Sequence, residues 1–212
     1  MGGDRERPRF RIDANRQSAN RRVRYIESNR PTEGLCTLCQ LDVHNPSPIE
    51  DNPMSLHIRP ATAADATLIL RFITDLAIYE KAEHEVQTDV AGIEASLFSP
   101  QSRAQALICE HDGAPIGYAV YFFNYSTWLG KHGLYLEDLY ITPEKRGIGA
   151  GKALLKHLAQ QAVSLGCGRF EWAVLDWNQP AIDFYQSFGA KPQDEWTTYR
   201  LTGQALLDFA QG

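Results

Sequence analysis

Gly147, Gly149 and Gly151 alternate with Ile148 and Ala150 between two basic residues, Arg146 and Lys152, directly downstream of the apolar run Tyr135–Ile141. Glycines at alternate positions strip the side chains from a short loop, so the unpaired backbone N–H groups of a following helix can converge on one anion. The positive end of the helix dipole and the Arg146 guanidinium act on the same point. The chemistry this suits is the holding of a phosphate or diphosphate; the plain alternative is a tight turn. Two common nucleotide loops do not fit, because a P-loop needs Gly at Arg146 and Ser or Thr at Ala153, and a dinucleotide fingerprint needs a third glycine at Leu154. Just upstream, Glu137 and Asp138 interrupt the apolar run, where a carboxylate is expensive to bury without a partner. Cys167 lies in a glycine-flanked turn distant in sequence from these residues, and Cys109 reads as core.

The elements that must position these residues follow from periodicity. Tyr135–Ile141 reads as a central strand that turns at Thr142-Pro143. Leu154, Leu155, Leu158, Ala159 and Ala162 fall on one face of a helix spanning about 149–165, while Lys152, Lys156, Gln160 and Gln161 point outward. Upstream, Ser55–Arg59 is a short strand. A helix over about 64–79 carries Ile69, Phe72, Ile73 and Leu76 on one face and ends at Tyr79-Glu80. A second helix over about 88–98 is capped by Thr88 or Asp89 and stopped by Ser99-Pro100. Ala104–Glu110 and Pro115–Tyr125 form a hairpin turning at His111-Asp112-Gly113. Downstream come a strand over 169–175, a helix over 179–188 ended by Gly189, a strand over 196–201 and a helix near 203–210. The expected class is α/β (α+β), a mixed, mainly antiparallel central sheet flanked by helices on both faces, with no internal repeat.

Arg-x-x-Gly-x-Gly after a strand resembles the pyrophosphate loop of the GCN5-related N-acetyltransferase (GNAT) superfamily. The run Asn178-Gln179-Pro180-Ala181 through Tyr185 and Gly189 resembles that superfamily's Asn-x-x-Ala-x-x-x-Tyr-x-x-x-Gly signature. Tyr125-Ser126-Thr127-Trp128, Tyr135-Leu136-Glu137-Asp138 and Ala173 through Asn178 are similar to the spermidine/spermine (diamine) acetyltransferase subgroup, and among its members to the thialysine N-epsilon-acetyltransferase type. The likeness covers about residues 55–210. It implies acetyl-CoA as co-substrate, with the diphosphate on Arg146, Gly147, Ile148, Gly149, Ala150, Gly151 and Lys152. The pantetheine arm would lie along the backbone of Leu139, Tyr140 and Ile141 as an added strand, where a bulge splays the central strand from its neighbour. Asn178, Ala181 and Tyr185 would complete that site. No metal is implied.

Acetyl transfer to an amine needs a bound thioester, a neutral nitrogen and a stabilised leaving thiolate. An alkyl ammonium of pKa about 10.4 is neutral about once in 2,500 molecules at pH 7, so its proton must be taken. The resemblance gives that task to Glu137 through a water, and Glu137 is expected to be partly desolvated with a raised pKa; the simpler alternative pairs it with a cation. Tyr185 is implied as the acid toward the thiolate. Asn178 has a second reading as the cap of the helix that begins at Gln179-Pro180. The resemblance places Tyr79 and Glu80 at the border of the amine site, the plain alternative being a solvated helix end, and sets Glu137 within it; Trp128, Asp138, Glu171, Trp172, Asp194, Glu195 and Trp196 offer the carboxylates and aromatic faces that a flexible cation needs. Ser126 stands where polyamine-selective members carry Asp, which points to thialysine or lysine-like amines beside di- and polyamines. Direct transfer in a ternary complex is expected rather than an acetyl-enzyme on Cys167. A peptide or protein N-acetyltransferase and a non-catalytic acetyl-CoA-binding regulatory module remain alternatives.

The 212 residues, 43% hydrophobic, suffice for one domain of common size with a tail. Residues 1–53 carry nine Arg against eight Asp and Glu, a balance of +1, so the rest of the chain holds −6 of a total of −5. An acidic body argues against nucleic acid as a partner and suits a cationic substrate. Residues 1–53 read as an extended or non-native arm ahead of a domain over 54–212, with Met54 an alternative start. Cys36, Cys39 and His44 have zinc-like spacing but lack a fourth ligand. Four cysteines do not make a secreted disulfide framework at this length, and neither a membrane span nor a signal peptide is evident. The expected setting is cytoplasmic, without membrane association, and the subgroup implies a homodimer.

Overall fold

A computed structural model of the chain describes residues 56–212. The N-terminal arm, its Cys36, Cys39 and His44, and the Met54 start lie outside the described residues. Five strands form one sheet in chain order: β1 (Leu56–Pro60), β2 (Ala104–His111), β3 (Ala114–Ser126), β4 (Lys131–Ile141) and β5 (Arg169–Trp172). The first three pairings are antiparallel and β4–β5 is parallel. The parallel pairing needs a crossover, supplied by α3 (Ala150–Ser164). The other helices are α1 (Ala66–Tyr79), α2 (Val90–Leu97), α4 (Gln179–Gln186) and α5 (Gly203–Gln211).

The β2–β3 hairpin closes through Asp112 and Gly113, with φ of 52° and 76°. Two left-handed residues make the tight turn whose twist matches that of the flanking strands, and Asp-Gly is a pair that tolerates it. Period-two alternation then sorts β4 into two layers. Leu134 and Leu136, and beyond them Leu139 and Ile141, pack toward Leu154, Leu155 and Leu158 of α3. Tyr140, with Tyr118 and Val120 of β3, packs toward Ile69 and Phe72 of α1 and Ile93 of α2. α1 and α3 thus bury the apolar stripes read in their sequences, and the sheet is covered on both faces.

Several boundaries differ from expectation. The first helix opens with a 3-10 turn at Ala63–Asp65 before α1. The Asp89 carboxylate caps α2 by accepting from Gly92 N–H at 2.7 Å, which settles the Thr88 or Asp89 alternative. The strand expected over 169–175 stops at Trp172, and the helix expected to reach residue 188 ends at Gln186. The strand expected over 196–201 does not form, and that segment is exposed. Its alternation suits a strand, but a strand exists through its ladder, and β5 presents an edge of only four residues.

Asp65 fastens the entry to α1 against the sheet. Its carboxylate accepts from both terminal nitrogens of Arg59 at 2.9 Å, from Thr62 N–H at 2.8 Å and from the Thr62 hydroxyl at 3.0 Å. The Arg59 bonds, opposed by burial and helped by Thr62, hold its pKa down at about 2 from an ordinary 3.8. A depressed carboxylate stabilises the fold above its unfolded pKa and loses that contribution as pH falls through the folded value. Asp65→Asn is therefore expected to lower stability by about 2 kcal/mol at neutral pH, the gap closing between about pH 4 and pH 2. Urea denaturation of both proteins across that range checks it.

Candidate active site

The register of β3 and β4 slips where the chemistry was expected. Val120 pairs with Asp138 and Tyr121 with Leu136, which leaves Glu137 as the extra residue of a β-bulge. A bulge bends its strand and re-aims the side chain it carries. On the other side of β4 the parallel ladder ends at the Leu136–Trp172 pair. Beyond it Leu139–Ile141 continue β4 without β5, and a cleft of about 650 Å³ opens between them and Ala173–Leu175. The unpaired backbone groups along that edge can take an extended ligand as a further strand.

The glycine loop closes one end of this cleft. Gly147 and Gly149 have φ of 83° and 88°, a left-handed conformation that side-chain-bearing residues adopt at a cost. Gly149 is the N-cap of α3 and offers no side chain to its amides. Ala153 N–H donates to the Gly149 carbonyl at 2.9 Å. The amides ahead of it are the orphan donors of a helix start. A Cβ built at Gly147 or Gly149 meets nothing within 4 Å, so the space before these amides is open. Bare amides, open space and a helix N-terminus fit a diphosphate.

Side chains from distant elements close over the same cleft. Arg146 donates from Nε to the Ile141 carbonyl at 3.1 Å, and its guanidinium lies 5.0 Å from the Tyr79 ring centre and 5.8 Å from that of Tyr140. The Tyr79 hydroxyl donates to Asn178 Oδ1 at 3.1 Å. The same Asn178 oxygen accepts from Ala181 N–H at 3.4 Å, so Asn178 does cap α4. The end of α1 is thereby tied to both the glycine loop and the start of α4. Tyr185, on α4, lines the cleft with its ring against Trp172 at 5.1 Å and Phe184 at 5.5 Å.

The electrostatics are those of carboxylates drawn partly out of water. Burial, and then the charge of Asp138, raises the pKa of Glu137 above the ordinary carboxylate value, against the opposing pull of Arg200. Glu80 is raised for the same two reasons. Asp138 is raised by its own burial and held back by a hydrogen bond from the Tyr118 hydroxyl at 2.8 Å. Tyr185 is raised by burial and by the nearby Glu80 and Tyr79, which keeps its phenol protonated and able to donate.

Of the residues singled out in the sequence, the cleft gathers Tyr79, Glu80, Glu137, Asp138, Leu139, Tyr140, Ile141, Arg146, Gly147, Gly149, Ala150, Gly151, Lys152, Trp172, Asn178, Ala181 and Tyr185. Six do not line it. Ile148, within the loop, is exposed and its side chain lies outside the cleft. Trp128 is 87% exposed in the β3–β4 turn, edge-on to Trp196. Glu171 pairs with Arg169 at 2.8 Å and accepts from Asn124 at 3.0 Å. Asp194 and Glu195 lie in the exposed segment where no strand forms. The cleft also uses residues that sequence reasoning passed over: Leu76, Leu136, Lys145, Ala173, Val174, Leu175, Pro180 and Phe184. Lys145 adjoins Arg146 and was legible as part of the basic loop. Ala173–Leu175 fall within the strand expected over 169–175, and it is the early end of β5 at Trp172 that frees them to line the cleft.

A sheet that parts beside a bulged carboxylate, with an anion cradle at the mouth of the gap, is the architecture of an acyl-coenzyme A enzyme, and the chain belongs to the acetyltransferase (GNAT) family, whose pattern matches residues 71–190. It is 38% identical over 167 residues to the thialysine N-epsilon-acetyltransferase of Sus scrofa, covering 74% of this chain and 98% of that one. It is 34% identical over 163 residues to the spermidine/spermine N(1)-acetyltransferase-like protein 1 of Homo sapiens, covering 72% of this chain and 23% of that one. Among solved structures, an integron cassette protein from V. cholerae superposes with a TM-score of 0.65 at 24% identity, covering 76% of this chain and all of that one.

Proposed function

We propose that the chain transfers the acetyl group of acetyl-CoA to a small primary amine of the thialysine, lysine-like or diamine kind, by direct attack within a ternary complex. The observation that carries this is the placement of Glu137 on the bulge, at the point where the cleft behind the glycine loop opens. The loop amides from Gly147 to Lys152 bind the diphosphate, and the edge of β4 at Leu139–Ile141 orders the pantetheine arm. The amine enters from the side of Glu80 and Asp138. Its nitrogen attacks the thioester carbon, the new C–N bond forms, and the C–S bond breaks. Glu137 takes the proton the nitrogen must lose, by way of water, and the Tyr185 hydroxyl donates a hydrogen bond to the departing thiolate.

A raised pKa suits Glu137 to this role, because a carboxylate at its ordinary pKa lies far below an alkyl ammonium. The substrate range rests on the acidic lining of the cleft and on the amines named for the relatives. The test is a panel of thialysine, lysine, putrescine and spermidine with acetyl-CoA and the full chain, reading free thiol. Release with at least one of them is expected; release with none, while histone-tail peptides are acetylated, would replace the small amine by a peptide. The working unit is taken as a homodimer. Trp196, Tyr199 and Phe209, 68%, 92% and 79% exposed, are side chains a second copy would cover, and sedimentation at the mass of one chain would remove that part.

A further inference from the structure

Tyr118 lies in the middle of β3, fully buried, and does not line the cleft. Its ring stacks on Phe72 of α1 at 5.7 Å, with the planes 20° apart. For packing alone a phenylalanine would serve, so the hydroxyl requires a reason: a buried O–H left without an acceptor is costly. It donates to Asp138 Oδ2 at 2.8 Å. The register explains the reach. Tyr118 pairs with Tyr140 and Val120 with Asp138, so Tyr118 and Asp138 are diagonal neighbours on one face of the sheet, a distance a long side chain spans. Asp138, unlike Tyr118, does line the cleft.

This bond fixes the Asp138 carboxylate in direction and favours its charged form, since a phenol O–H is a stronger partner for an anion than for a neutral acid. The price falls on its neighbours: Glu80 and Glu137 are both made harder to ionise by the Asp138 charge. A carboxylate fixed in direction by a buried donor, at the wall of a cleft it shares with Glu80 and Glu137, is placed to receive a ligand cation. Glu137 on the bulge is engaged by the reacting nitrogen, so that cation is a different one.

We infer that Tyr118 is a positioning residue for substrate choice: through its hydrogen bond it holds Asp138 as the seat for the ammonium at the far end of a diamine, while Glu137, one residue earlier, serves the nitrogen that reacts. The inference rests on the amine acetyltransferase reading and names the class of amine, a dication, that this cleft prefers.

Cadaverine and pentylamine are a matched pair of equal length, differing in the distal ammonium. The full-length chain is assayed with both, as wild type, Tyr118→Phe, Asp138→Asn and the double variant, with acetyl-CoA binding followed by calorimetry to establish that each is folded. Wild type is expected to prefer cadaverine. Tyr118→Phe is expected to cut that preference in kcat/KM roughly tenfold, through KM rather than kcat, as loss of a hydrogen bond to a charged group implies. In the Asp138→Asn background the same change is expected to add under about twofold, because the two act as one unit. An unchanged preference in folded Tyr118→Phe, an equal fall for both amines, or additive effects in the double variant would each overturn the inference. Should Tyr118→Phe not fold, Asp138→Asn decides alone: loss of the cadaverine preference supports the seat, and its retention removes it. A wild type that uses both amines equally well sinks this inference only, whereas one that uses no amine at all sinks the reading beneath it.

Discussion

Tyr185→Phe is expected to slow acetyl transfer by roughly 10² to 10³ while leaving acetyl-CoA affinity nearly unchanged, the size of effect seen when one preorganised donor to a developing anion is removed. The ring is held by packing rather than by its hydroxyl: Trp172 lies at 5.1 Å, Phe184 at 5.5 Å and Phe188 at 6.2 Å. Phenylalanine keeps those contacts, so the variant isolates the O–H. The direction of the pKa shift says what that O–H does. Burial, with Glu80 and Tyr79, pushes the phenol above its ordinary 10.0. A thiol has a pKa of about 8.5, so complete proton transfer from tyrosine to thiolate is uphill. A short hydrogen bond that strengthens as the C–S bond breaks is the larger contribution. Single-turnover rates separate this from product release, and calorimetry gives the affinity. A variant that binds acetyl-CoA poorly yet turns over at the wild-type rate would move Tyr185 from the chemistry to the binding site.

What the sequence disclosed and what it withheld divide along the range of the interactions involved. The helix at Leu154, Leu155 and Leu158 and the hairpin at Asp112-Gly113 are set by neighbours in the chain, and both are present as expected. The glycine loop was legible for the same reason, since left-handed φ at Gly147 and Gly149 is a local requirement. The bulge at Glu137 was not readable from the residues themselves. An extra residue in a strand is defined by the partner's register, and nothing local distinguishes Glu137 from an ordinary outward-facing position. The hydroxyls of Tyr118 and Tyr79 were hidden likewise, their acceptors Asp138 and Asn178 lying 20 and 99 residues away. The absent strand at 196–201 is the converse error: the alternation is there, but a strand exists only through its ladder, and the free edge of β5 is four residues long. Glu171 offers a carboxylate by residue type alone, but Arg169 and Asn124, the latter 47 residues away in the chain, engage it outside the cleft.

Glu137→Gln is expected to lower kcat/KM at pH 7 by about 10² to 10⁴, the range for loss of a positioned general base, and to leave a much smaller deficit near pH 10. The convergence follows from the amine. Around its pKa of about 10.4 half the substrate is already neutral, and a base has little left to do. In the wild type, Glu137 works only when ionised, so the rate must rise with pH through its folded pKa and fall as pH drops below it. Burial and the Asp138 charge place that limb above the ordinary carboxylate range, with Arg200 drawing it partly back. The variant should lose this acidic limb and keep only the slope from the substrate's own ionisation. Profiles of kcat/KM on the same amine with both proteins read the difference. A Gln variant with the wild-type acidic limb would assign that limb to Glu80 or Asp138. A uniform deficit at every pH would mean that Glu137 takes no proton and supports the site by its shape and hydrogen bonding, because a base and a seat for the cation both lose their advantage as the amine becomes neutral.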